Sequence, residues 1–333
     1  MRGRDGMSRW RRRLVTLPLY AAACAGALAS APLWIPLAAL IDLLRAMGTI
    51  ALRSGVFLTF YLCCEMAGLL AAGALFLLRP LLRDETRWRA LHFRLQDAWA
   101  TWLWRAAVFC FDLRIEVDAR EARLAEGPYL LLLRHASAGD ALLASALVGR
   151  PHDVQLRYVL KRELLWDPCL DVVGTRLHHV FVDRSGDDSA GEIARVQALA
   201  RDLGPREGVL IYPEGTRYSE AKRMRVLERL AREGDVKRLD YARSLGFVLP
   251  PRAGGVLALL DAAPDADVVV CMHSGFENAA SLHQLWQGGL LRGRIRVRFV
   301  RIPHAGIPRT RAERVQWLCE LWQRVDDWVA KGP

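Results

Sequence analysis

Apolar residues crowd the first quarter of the chain and then thin into short, spaced runs. Leu14 to Ile41 is 28 residues without a charge, long enough as a helix to cross a bilayer at about 1.5 Å per residue. Pro18, Pro32 and Pro36 fall inside it and predict a kink or a shorter true span. Gly55 to Leu78 is a second apolar run, interrupted by Glu65 alone. Together they predict an N-terminal membrane helical hairpin over residues 1–80, with a second domain over 81–333. A cleaved signal peptide is disfavoured, because the first run outlasts a typical signal core and a second run follows it. A pair of helices lying in the interface is the alternative to a pair that crosses. Glu65 is either a functional group in mid-span or a residue facing a partner helix or the membrane edge.

Beyond the hairpin the period changes. Thr86 to Phe111 reads as an amphipathic helix, with Leu91, Leu95, Ala98, Trp102, Ala106 and Phe109 at spacings of three and four. Its tryptophans suit either a packed core helix or the headgroup level of a membrane. From Pro128 short apolar runs alternate with helical stretches. Strands are predicted at Tyr129–Leu133, Leu156–Leu160, His179–Asp183, Gly208–Tyr212, Asp267–Met272 and Ile295–Val300. Helices fit around 139–149, 187–203, 219–231, 254–262 and 309–329. That alternation predicts an α/β domain of three layers, with helices on both faces of a mixed, largely parallel sheet.

Charge adds an orientation. The net charge is +11. Residues 1–13 hold six arginines and one aspartate, and Arg79, Arg83, Arg87 and Arg89 follow the second apolar run. Both flanks are therefore expected on the cytoplasmic side, as in a bacterial-type inner membrane protein with its catalytic domain facing the cytoplasm. No basic stripe with interleaved aromatics appears elsewhere, so nucleic acid is not an expected partner. The seven cysteines form neither a C-x-x-C pair nor a disulfide framework. His178, His179, His273 and His304 lack the converging ligands of a metal site and are read as structural, so no metal is expected. Glycine loops for nucleotide hydrolysis or hydride transfer are absent, and no cofactor is implied.

The candidate chemistry lies at the ends of the apolar runs. His135 closes one, and Asp140 follows five residues later in Leu131-Leu-Leu-Arg-His-Ala-Ser-Ala-Gly-Asp140. A carboxylate one helical turn on can hold one imidazole nitrogen and leave the other to take a proton. Tyr212-Pro-Glu-Gly-Thr-Arg217 ends a second run, and Phe181-Val-Asp-Arg-Ser185 stands between. Gly215 permits close backbone approach, and Arg217 can grip a phosphate through parallel hydrogen bonds. Glu214 either orients Arg217 or bonds an acceptor hydroxyl. Pro250, Pro251 and Gly254, in Val248-Leu-Pro-Pro-Arg-Ala-Gly-Gly255, form a rigid then flexible turn.

In this order the blocks resemble those of the glycerolipid acyltransferases, over about residues 128 to 275. Glu-Gly-Thr-Arg is the most specific block and the one holding Arg184 the loosest. Tyr212 stands where the family often has phenylalanine. The long region from Arg217 to Leu249, with Ser219-Glu-Ala-Lys-Arg223, resembles an extended insertion of one subgroup, which includes acyltransferases acting on other lysophospholipids. The resemblance implies transfer of a fatty acyl chain from acyl-CoA or acyl-carrier protein to 1-acylglycerol 3-phosphate, giving phosphatidic acid. His135 would be the general base and Asp140 its orienter, without an acyl-enzyme intermediate. Arg184, Glu214, Gly215, Thr216 and Arg217 would bind the acceptor, and Pro250, Pro251 and Gly254 would lie near the donor. The alternatives are another lysophospholipid acceptor, a thioester hydrolase, or a non-catalytic lipid-binding membrane protein.

Overall fold

The structure, a computed structural model, describes residues 2–45, 48–82, 84–137, 139–183, 189–277, 284 and 286–332. Seven strands are found among them: β1 (Arg114–Asp118), β2 (Tyr129–Leu133), β3 (Gln155–Lys161), β4 (Val180–Val182), β5 (Glu207–Ile211), β6 (Asp267–Ser274) and β7 (Arg294–Ile302). They form one sheet in the order β1-β7-β6-β2-β5-β3-β4. Every pairing is parallel except that of β6 with β7. The mixed, largely parallel sheet expected from the sequence is present. All five residues of β2 are buried, as a central strand covered on both faces requires.

Leu130, Leu132, Val209 and Val268 point to one face. They pack under α11 (Ala253–Ala262) and α12 (Arg311–Ala330), with Trp322 fully buried among them. Leu131, Leu133, Tyr158 and Leu160 point to the other face, against Trp104 and Phe111 of α4 (Glu85–Phe111) and Leu143 of α5 (Asp140–Ala144). Two apolar cores separated by the sheet make the three layers.

The apolar pattern predicts no strand at β1, because that edge is almost wholly exposed and charged. Its pairing rests on cross-strand partners: Ile115 faces Ile295, and Glu116 and Asp118 lie beside Arg294 (3.5 Å) and Arg298 (3.7 Å). Opposite charges on facing strands favour this register.

The N-terminal helices are consistent with the expected hairpin, with a break inside its first arm. The run from Leu14 to Ile41 is not one continuous helix, and it carries the kink that its prolines predict. It divides into α1 (Arg2–Ala29) and α2 (Ala31–Arg45), bent by 71° at Ser30. Pro32 sits in the first turn of α2, where its missing N–H is harmless, while Pro18 and Pro36 are carried inside the helices. Asp42 belongs to α2 and not to a linker. Its carboxylate accepts the N–H groups of Ala51 (2.8 Å) and Leu52 (2.9 Å), capping α3 (Ile50–Leu77). Of the described helices, α3 is long and apolar enough by itself to cross a membrane.

Helix α3 is bound to the catalytic domain along most of its length. Arg53 donates to the Cys110 carbonyl (2.7 Å) and Tyr61 to Asp167 (2.8 Å). Arg176 donates to the Ala72 carbonyl (3.1 Å). Glu65 is fully buried and accepts Trp99 Nε1 (3.0 Å) and the Cys169 N–H (3.1 Å). It therefore ties α3 to α4 and to α7 (Pro168–Val172). Near the start of α1, Arg12 and Arg13 both pair with the buried Asp171 of α7, at 2.7 and 3.0 Å.

Candidate active site

The sheet gathers the sequence motifs at the C-terminal ends of its parallel strands. His135 follows β2, Lys161 ends β3, and Tyr212 to Arg217 follow β5. In open α/β sheets this edge is where ligands bind.

His135 Nδ1 lies 2.9 Å from Asp140 Oδ2. Because a carboxylate accepts, Nδ1 carries the proton, and Nε2 is the nitrogen suited to taking one. The same Oδ2 accepts the N–H groups of Ala136 (2.7 Å) and Ser137 (2.9 Å), and Oδ1 accepts Ser137 Oγ (2.9 Å). His273, buried behind it, has Nε2 at 3.5 Å from Oδ1. Burial by itself would raise the Asp140 carboxyl. Nearby His273, the bond from His135 and the backbone donor outweigh burial and hold it below the usual range. Asp140 is thus kept ionised beside His135. Tyr212 stacks on the imidazole, with ring centroids 4.2 Å apart.

Glu214 does not reach outward. It is 2 % exposed, and its two oxygens accept the N–H groups of His135 (2.8 Å) and Leu249 (2.9 Å). One carboxyl group thereby fastens the histidine block, its own block and the proline block. Burial pushes its carboxyl up to about 7, against the pull of Arg134 and the two amides. A second bond, from Tyr218 N to the His135 carbonyl (2.7 Å), reinforces the junction. Gly215 has φ +71°, and a Cβ there would come within 2.9 Å of Arg252 Cδ, so glycine answers both the turn and the close approach.

Thr216 Oγ1 and the Arg217 carbonyl both accept Lys222 Nζ, at 3.0 and 2.8 Å. Lys222 lies on α9 (Glu220–Glu233). Burial, then nearby Arg217, Lys161 and Arg225, holds its ammonium below the ordinary lysine range. Lys161, Arg217 and Lys222 therefore form one cationic cluster, and such a cluster attracts an anion. Arg184 lies outside the described residues.

His135, Lys161 and Arg217 line a cavity of about 640 Å³. Its other walls come from Phe57 and Tyr61 of α3, Leu103 and Trp104 of α4, Leu142 of α5 and Leu160 of β3. The volume suits an organic ligand of substantial size, and the wall is mostly apolar. Pro250, Pro251 and Gly254 are not among the described residues lining it. Gly254 packs instead against Ile193 of α8 (Ser189–Ala198).

Sequence reasoning overlooks Lys161 and Lys222, and it reads His273 as structural without placing it behind Asp140. The signal for Lys161 is its position, directly after an apolar strand of a parallel sheet. Lys222 lies five residues after Arg217, one turn into a helix that opens on Ser219. His273 is indistinguishable in sequence from any strand-end histidine.

A charged cluster and an imidazole–carboxylate pair thus open on one largely apolar cavity, at the strand ends of a mixed α/β sheet. Residues 114–271 match the family model described as Acyltransferase. That match covers 158 of the 333 residues, and over this stretch the chain is similar to acyltransferase domains. It is 24% identical over 176 residues to a 1-acyl-sn-glycerol-3-phosphate acyltransferase of Limnanthes alba, covering 51% of this chain and 59% of that one. It is 22% identical over 256 residues to lysophosphatidylinositol acyltransferase 10 of Caenorhabditis elegans, covering 74% of this chain and 63% of that one. The match thus spans less than two thirds of the length of these curated relatives. Among solved structures, the 1-acyl-sn-glycerophosphate (LPA) acyltransferase PlsC of Thermotoga maritima has a TM-score of 0.49 at 13% identity. The superposition covers 80% of this chain and 98% of that one.

Proposed function

We propose that the chain is a membrane-associated lysophospholipid acyltransferase. It moves a fatty acyl chain from acyl-CoA or acyl-carrier protein to the free hydroxyl of 1-acylglycerol 3-phosphate. The observation that carries this reading is the shared cavity. An oriented base, cations and an apolar chamber meet in one volume. A lysophospholipid has a hydroxyl to deprotonate, a phosphate to grip and a chain to bury.

In this mechanism the acceptor hydroxyl gives its proton to His135 Nε2 as its oxygen attacks the thioester carbonyl. Asp140 holds Nδ1–H and stabilises the imidazolium that forms. The tetrahedral intermediate collapses with loss of the thiolate, which recovers the proton from His135. Ser137 is no nucleophile here, because its hydroxyl serves Asp140. The phosphate is held by Arg217, with Lys161 and Lys222 beside it. Arg184, from the loosest block, is a further phosphate ligand in this reading. Helices α1 to α3 keep the domain at the bilayer, with the basic flanks on the cytoplasmic side.

Another lysophospholipid acceptor is the second reading, favoured by the longer match to the lysophosphatidylinositol enzyme. The test supplies membranes carrying the protein with labelled acyl-CoA and then acyl-carrier protein donor. Lysophosphatidic acid is offered beside a panel of other lysolipids. Label in phosphatidic acid supports the first acceptor, and label solely in another phospholipid moves the acceptor. No transfer from either donor to any acceptor rejects the activity. Arg217→Ala is expected to lower kcat/KM for the lysolipid by about tenfold or more, chiefly through KM, since a charge-assisted contact is lost. Steady-state rates at varied lysolipid check it, and an unchanged acceptor KM removes Arg217 from phosphate binding.

A further inference from the structure

His179 has no part in the chemistry above, yet its bonding is fully directional. Its Nδ1 accepts the backbone N–H of Tyr158 at 3.1 Å, so its own proton sits on Nε2. Nε2 donates to Gln96 Oε1 at 2.8 Å. Desolvation pushes the imidazole down to about 3, so the ring stays neutral and keeps this tautomer.

The consequence falls on Gln96. Its carboxamide oxygen is fixed toward His179, so its NH2 group faces the other way. Gln96 is 7 % exposed and lines the large cavity. Its amide nitrogen has no hydrogen-bond partner among the described residues, and it is not sealed off from open space. Ser145 and Tyr158 line the same cavity, with their hydroxyls 2.8 Å apart. The Tyr158 ring stands edge-on to His179, with centroids 5.1 Å apart. A polar station therefore interrupts a wall otherwise built from Leu103, Trp104 and Leu142.

We propose that Gln96, oriented by His179, is a specificity determinant for an acyl chain that carries an oxygen atom, as hydroxyl or oxo group, along its length. The proposal rests on the acyl-transfer reading and names the substrate class of that same cavity. A saturated chain filling the cavity leaves the Gln96 donors buried and unmet, which disfavours it by about tenfold or more. A hydroxyl or oxo oxygen at the matching carbon accepts from Gln96 and removes that penalty. Such a site rejects the analogue lacking the oxygen because a buried donor is left unpaired.

The same chemistry could arrive on the donor thioester or on the lysolipid's own chain, and two arms separate these sources. The full-length protein in membranes receives palmitoyl-CoA in competition with a positional series of hydroxypalmitoyl-CoA donors, with plain lysophosphatidic acid. In the second arm the hydroxyl is moved to the lysolipid and the donor is plain. Products are counted by mass. The expected result is that one hydroxyl position, in one arm, is preferred over the parent chain by about tenfold. In Gln96→Met the ratio falls toward unity, with melting temperature measured in parallel. A wild-type protein that transfers the parent chain but favours no position in either arm overturns the proposal and leaves the acyltransferase reading intact. A folded Gln96→Met protein that keeps the preference also overturns it. Absence of transfer from every donor overturns the acyltransferase reading itself, and the station with it. The wild-type series decides the matter even where the variant fails to fold.

Discussion

Replacing His135 by alanine is expected to lower acyl transfer by about a thousandfold while leaving the protein folded. A positioned general base contributes about that much. The fold should tolerate the change, because the Asp140 carboxylate keeps three other donors: Ala136 N, Ser137 N and Ser137 Oγ. No buried charge is abandoned, and the lost imidazole is partly exposed at the cavity wall. The measurement pairs product formation in membranes with thermal unfolding of the purified variant. Turnover near the parental rate would sink the mechanism. Loss of activity with a collapsed melting temperature would assign His135 to structure instead. A companion variant, Asp140→Asn, should show a similar loss in kcat, because an amide can present NH2 to Nδ1 and favour the wrong tautomer.

Glu214→Gln is expected to damage stability and activity together. Both carboxylate oxygens accept a backbone N–H, from His135 and from Leu249. Glutamine has one acceptor oxygen, so its NH2 group must face one of those N–H groups. One buried amide is left unmet, at about 1–3 kcal/mol, and the strand end bearing the base loses its anchor. The prediction has a pH signature. Burial raises the Glu214 carboxyl from 4.5 to about 7. Between those values the folded chain keeps a proton that the unfolded chain has released. The stability contributed by this proton is fully present below about 4.5 and is lost as pH rises through about 7. The slope in that window is at most about 1.4 kcal/mol per pH unit. Unfolding free energies from pH 5 to 8 should decline in the parent and decline less in Glu214→Gln. Equal slopes would deny Glu214 its raised value.

Much of the catalytic geometry is legible as local pattern. His135 and Asp140 lie five residues apart across a short turn, so chain connectivity brings them together. The strands from Tyr129 onward carry apolar runs that match a sheet buried on both faces. The charged edge strand β1 escapes the pattern because its partners, Arg294 to Arg298, come from a distant part of the chain. The break at Ser30 is only partly legible. Three prolines announce trouble in the run, but two of them are absorbed inside helices and the bend falls before the third.

Glu214 shows the same division at a single residue. The Glu-Gly-Thr-Arg block marks it as a member of the site, and its chemistry suggests a ligand to arginine or to an acceptor hydroxyl. Its actual partners are two amides separated from it by 79 and 35 residues. No spacing rule could name them.

Apolar periodicity was enough to predict the layered α/β architecture and the apolar N-terminal region, and the resemblance of the motif blocks marked the His-Asp pair, because each depends on neighbours within a few turns or strands. Contacts between distant segments decided the rest. They bound α3 along the rest of the molecule through Tyr61, Glu65 and Ala72. They also brought Lys161 and Lys222 to Arg217, and turned the Gln96 amide toward a cavity walled by α3, α4 and β3. The physical reason is that burial and hydrogen-bond satisfaction are properties of the assembled volume. A carboxylate, an amide or an ammonium acquires its role only when folding settles which groups remain to meet it.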